Sequence, residues 1–131
     1  MTEPVKPQKK LVVHCKREKF DSYIGRPAKN QPWGFGNPFR MPKYSREDCI
    51  KHFKQWLVFG YTQGEKDATP ERREWILRHV HELKDLVLGC WCNPQECHGD
   101  FLVLLTNTPT NVQRLIDKID ADKPTQQITP V

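Results

Sequence analysis

The chain has 131 residues, with 21 Lys and Arg against 16 Asp and Glu and a formal charge of +5. That length suits one domain, and a mean hydropathy of -0.75 implies a modest core built largely from aromatic rings. The composition excludes a membrane-spanning protein, a coiled coil and a collagen, and MTEPVKPQKK has no apolar signal core. The five cysteines are Cys15, Cys49, Cys90, Cys92 and Cys97, an odd set with three in one short stretch. This is no disulfide framework, so a reducing, cytoplasmic location is expected, with a local metal, redox or catalytic cluster.

In chain order, residues 1–10 read as a flexible lead. Leu11–Cys15 is a short apolar run with β-branched members, hence a strand. Residues 16–44 carry too many Gly and Pro for a helix, yet hold Tyr23, Ile24, Trp33, Phe35 and Phe39. So long and aromatic a loop is expected to be packed and functional, with a strand hidden near Asp21–Ile24. Ser45 caps a helix whose apolar positions are Cys49, Ile50, Phe53, Trp56 and Leu57, and Gly60 ends it. Cys49 is read as a buried structural thiol. Thr69-Pro70-Glu71 opens a second helix to about Lys84, with Trp75, Ile76, Val80 and Leu83 on one face. Trp56 and Trp75 are both assigned to the core, and His79 and His81 to the surface. Asp85–Cys92 reads as a buried strand, His98–Leu105 as a central helix, and Thr108-Pro109-Thr110 starts a last helix through Ile119. Residues 121–131 read as a loose tail, leaving 11–120 as a single α/β domain. Strands separated by helices predict a small, mainly parallel sheet flanked by helices, a Rossmann-like three-layer or two-layer sandwich.

The chemistry concentrates in Cys90-Trp91-Cys92-Asn93-Pro94-Gln95-Glu96-Cys97-His98-Gly99-Asp100, where a strand ends and a helix begins. Ligands of open α/β folds bind at strand carboxyl ends, and a helix start offers N–H groups to an anion. The same potential favours a thiolate at Cys97. Three readings stand. In the first, Cys90, Cys92 and Cys97 hold zinc, completed by His98 or by His14 and Cys15. The spacing, C-x-C-x4-C-H, is not the paired C-x-x-C pattern of structural zinc sites. In the second, a pocket binds a phosphate-bearing ligand. Cys97 then serves as nucleophile, His98 as acid or base and Asp100 as orienting group or carboxylate base, a Cys/His/Asp hydrolase or transferase. Gly25, Arg26, Asn37, Cys92 and Gly99 are the candidate ligand contacts, with Arg26 as an anion clamp. In the third, the cysteines are buried packing groups and His98-Gly99-Asp100 caps a helix. Trp33 and Phe35 plug the core or stack on bases. The charge permits a nucleic-acid partner but does not require one. Walker, dinucleotide, zincin and nucleophile-elbow motifs are absent from the sequence.

At these residues the chain resembles domain of unknown function 4326, a phage and bacterial family, across roughly residues 11–107. The matching pieces are Tyr23-Ile24-Gly25-Arg26, Gly36-Asn37-Pro38-Phe39, and Cys90-Trp91-Cys92 through Pro94 to Cys97-His98-Gly99-Asp100. Their order and spacing make the match specific. Here Phe35 stands before Gly36 where members often carry Trp. The resemblance implies a small intracellular protein, in the host cytoplasm if phage-encoded, and no established activity. Beside the ligand pocket, the alternative is a zinc-stabilised nucleic-acid- or protein-binding module, a phage accessory protein.

Overall fold

The structure is a computed structural model that describes residues 11–27, 33–91, 95 and 97–123. The expected lead, most of the expected tail and Cys92 lie outside these residues. Three short parallel strands form the sheet: β1 (Val12–His14), β2 (Ser22–Tyr23) and β3 (Leu88–Cys90), in the order β1-β3-β2. Val12 pairs with Leu88 and His14 with Cys90 on one side of β3, and Ser22 with Leu88 on the other. The chain therefore passes from one edge of β3 to the other within residues 15–21. Gly89 makes room for that crossing, because a Cβ there would lie 2.5 Å from the Phe20 ring. Asp21 secures its far end, where Oδ2 accepts from the Val87 N–H at 2.8 Å.

Four helices follow among the described residues: α1 (Arg46–Phe59), α2 (Pro70–His79), α3 (His98–Thr106) and α4 (Pro109–Asp122). A 3-10 turn, Val80–Leu83, extends α2. The caps of α1 and α2 are those the sequence announces, whereas Thr108, expected to cap α4, makes no side-chain cap bond and its hydroxyl donates back to Leu104 O at 3.0 Å. Ser45 accepts from the Asp48 N–H and Thr69 from the Arg72 N–H, each at 3.1 Å. Gly60 ends α1 at φ 82°, a left-handed conformation that suits glycine. The last carbonyls of α1 find a donor in α2, where Arg73 reaches Leu57 O and Val58 O, each at 3.0 Å. This satisfies groups that a helix end otherwise leaves to water.

Val12, Leu88 and Cys90 join one buried cluster with Phe53, Trp56, Leu57, Ile76, Leu77, Leu102, Val112 and Ile116, so all four helices contribute to the same core. Small α/β architecture and parallel pairing are as expected. Three details differ. The strands are shorter: Asp85 takes φ 64° and turns the chain before β3, and Trp91, 55% exposed, leaves the sheet after it. The second helix tightens to 3-10 geometry at Val80. Trp75 is 40% exposed, because the buried face of α2 centres on Ile76 and Leu77, and it stacks on His79 at 4.5 Å. Trp56 is fully buried, as expected.

Replacing Trp56 with Ala should therefore cost about 3–5 kcal/mol by equilibrium denaturation. Phe59→Ala, at a 61% exposed site one turn away, should stay within about 0.5 kcal/mol. Similar losses for both would contradict the assigned core.

Candidate functional site

The end of β3 and the start of α3 meet at sulfur. Cys90 is the last residue of β3 and Cys97 the N-cap of α3. Their Sγ atoms lie 3.0 Å apart, in contact but not bonded. The Gly99 N–H donates to Cys97 Sγ at 3.3 Å, and His98 Nδ1 lies 3.5 Å from the same sulfur. The other imidazole nitrogen faces oxygen: His98 Nε2 is 2.8 Å from Ile24 O and 3.0 Å from Phe35 O. Carbonyls only accept, so Nε2 carries the proton and Nδ1 is the nitrogen that can take one from the thiol. Phe53 of α1 meets the imidazole edge-on with ring centroids 5.0 Å apart.

This imidazole joins two loop segments, at Ile24 and Phe35, to the start of α3, far from both in sequence. Their backbones also touch, since a Cβ on Gly36 would lie 3.0 Å from Gly25 O and 3.3 Å from Arg26 Cα. The Asn37 side chain fixes the second loop to α1, with Nδ2 donating to Cys49 O at 3.0 Å while Oδ1 accepts from the Phe39 N–H at 2.9 Å. The first loop is held from outside. Trp91 Nε1–H donates to Tyr23 OH, which donates to Arg26 O, each at 2.9 Å.

Between the loops and α1 lies a cavity of about 610 Å³. Buried Cys90, Cys97 and His98 form part of its wall, and Arg26, Arg40 and Arg46 line it nearer solvent. Trp33, Tyr23 and Trp91 add aromatic surface, and no carboxylate lines it among the described residues. Arg40 also meets Asp67 at 3.6 Å. Behind Trp33 sits Arg72, its guanidinium 4.1 Å from the ring centroid. Arg72 Nη2 donates to Gly36 O at 2.8 Å and Nη1 to Asp67 O. Burial pushes its pKa down to about 10, with the Asp67 charge opposing.

The structure gathers Cys97, His98, Gly25, Arg26 and Asn37 around this cavity. Asp100 and Gly99 sit elsewhere. Asp100 is exposed and Oδ2 accepts from the Cys97 N–H at 3.3 Å, completing a capping box. Gly99 packs α3 on the sheet, where a Cβ would lie 2.5 Å from Ile24 Cδ1. Cys92 lies outside the described residues, and among those described no three His, Cys, Asp or Glu side chains gather as a metal site. Sequence reasoning missed Arg40, Arg46 and Arg72. No local pattern marks them, and only the fold brings Arg40 and Arg72 to Trp33 and Arg46 to the cavity.

A small parallel α/β sheet with a cysteine–histidine pair at its carboxyl edge defines the class. Within that class the chain belongs to the family described as Domain of unknown function (DUF4326), whose profile matches residues 8–108. It is also similar to an uncharacterised 12.4 kDa protein from the nrdA-td intergenic region of Enterobacteria phage T4. The two are 30% identical over 73 residues, which is 56% of this chain, and the chain spans 59% of that protein's length. No solved structure matches the chain significantly.

The two polar side chains beside Cys97 should separate in unfolding experiments. His98→Phe strips the donor from two buried carbonyls and should cost about 2–4 kcal/mol. Asp100→Ala removes one exposed cap contact and should cost about 0.5–1.5 kcal/mol. Equal costs would contradict the bridging role of His98.

Proposed function

We propose that the cavity binds a phosphate-bearing, nucleotide-like ligand and that Cys97 and His98 act on it as a hydrolase or transferase pair in the cytoplasm. The observation that carries this reading is the lining: Arg26, Arg40 and Arg46 with no carboxylate among the described residues. Guanidinium groups match phosphate oxygens in pairs, and a charge this one-sided favours an anion. The aromatic surface of Trp33, Tyr23 and Trp91 suits a planar ring, and the volume falls within the usual range for small-molecule sites. Among the described residues no helix is long and apolar enough to cross a membrane.

The chemistry follows from the imidazole. Cys97 gives its proton to His98 Nδ1 and the thiolate attacks an electrophilic centre of the ligand. The leaving group takes the proton back from Nδ1, and water or an acceptor then releases the enzyme-bound group. The Gly99 N–H supports the negative sulfur, and the carbonyls of Ile24 and Phe35 support the positive imidazole. Those carbonyls do the orienting work that the sequence assigned to Asp100.

Titration calorimetry with the four common nucleoside diphosphates and with inorganic pyrophosphate tests the binding. At least one nucleoside diphosphate should bind, and Arg26→Ala and Arg46→Ala should each weaken it about tenfold or more. Absence of binding by all five compounds, or unchanged affinity in both variants, would overturn the reading.

A further inference from the structure

We propose that Cys90 and Cys97 form a dithiol–disulfide couple in the cavity wall, oxidised by a low-molecular-weight disulfide and reset by a dithiol. This stands apart from the nucleotide reading, since it rests on the sulfur geometry and the neighbours of Cys97 and needs no bound nucleotide. The two Sγ atoms lie 3.0 Å apart, both cysteines are at most 2% exposed and both line the cavity. A covalent S–S bond is about 2.05 Å long, so closing it moves the sulfurs together by roughly 1 Å. The backbone sets this proximity. One cysteine ends β3, the other caps α3, and the side chain of each reaches its sulfur through a single torsion.

The neighbours of Cys97 fit it for the first attack. Cys97 has both an imidazole nitrogen to take its proton and the Gly99 N–H to hold the resulting charge. It is the attacking sulfur. Cys97 loses its proton to His98 Nδ1 and attacks one sulfur of the small disulfide. A mixed disulfide forms, and the other half leaves as a thiolate that takes up a proton. Cys90 then loses its proton, attacks Cys97 Sγ and expels the second half as a thiol. The protein has lost two hydrogens, and the small disulfide has become two thiols. A dithiol reverses both steps by the same exchange. While the bond persists, Cys97 has no thiolate to offer any other substrate.

Intact-mass analysis and peptide mapping after incubation with oxidised glutathione test the couple. The native protein should lose two hydrogens, gain no lasting glutathione and yield a peptide joined between Cys90 and Cys97. Thiols titrated in denaturant should fall from the five of the sequence to three, and dithiothreitol should restore them. Cys90→Ala should trap glutathione on Cys97, and Cys97→Ala should not react at this site. A stable glutathione adduct on the unsubstituted protein, a bond from Cys90 or Cys97 to Cys15, Cys49 or Cys92, or no reaction would each overturn the proposal. The unsubstituted protein provides the primary readout, so the test holds even where a variant misfolds. Nucleoside diphosphate titration of the reduced protein tests ligand binding separately.

Discussion

One N–H group ties three segments of the site to one another. His98 Nε2–H lies between the carbonyl oxygens of Ile24 and Phe35. One belongs to the turn after β2 and the other to the loop that approaches α1, so the imidazole ties both to the start of α3. Buried carbonyls without a donor cost roughly 1–3 kcal/mol each, which makes this nitrogen a structural requirement before it is a chemical one. The same requirement fixes the chemistry. With Nε2 committed to oxygen, Nδ1 is the nitrogen that faces the Cys97 sulfur.

The loops need help from their outer side. Arg72 lies against Trp33 and donates to the carbonyl of Gly36, holding that loop from behind as His98 holds it from within. Its two Nη groups donate while the buried Nε has no partner among the described residues, and burial lowers its pKa to about 10. Lys43 and Tyr44 converge on Glu65, and the Lys43 ammonium together with the Tyr44 hydroxyl holds that carboxyl below its usual range. The segment leading into α1 is thereby tied to the link between α1 and α2. These contacts leave Arg26, Arg40 and Arg46 facing the cavity.

Local signals in the sequence carried much of the fold. Ser45 and Thr69 mark helix ends through side-chain oxygens, Gly60 and Pro70 through backbone conformation, and each acts as its residue type implies. The strand near Ser22 was visible only as a hint, because two residues give no periodicity. Trp75 was misplaced because helical spacing alone does not say where the buried face is centred. The cluster of Cys97 and His98 was legible from the position of a strand end before a helix start. Its partners were not. That Ile24 and Phe35 supply oxygens to His98, that Arg72 reaches Trp33 and Gly36, and that Arg46 lines the cavity, depends on contacts between distant segments. Asp100 illustrates the opposite limit: a carboxylate three residues after an N-cap fits a capping box and a catalytic group equally well, and only its direction separates them.

The protonation of His98 is the most direct test of the central claim, that one imidazole both bridges the loops and serves Cys97. Long-range nitrogen–proton correlation NMR of the imidazole distinguishes a ring nitrogen that carries a proton from one that does not. A protonated Nε2 is expected near neutral pH, whether or not Nδ1 has taken the Cys97 proton. A neutral ring protonated on Nδ1 with a bare Nε2 would contradict the claim, since the two carbonyls would then lack their donor and Cys97 its base.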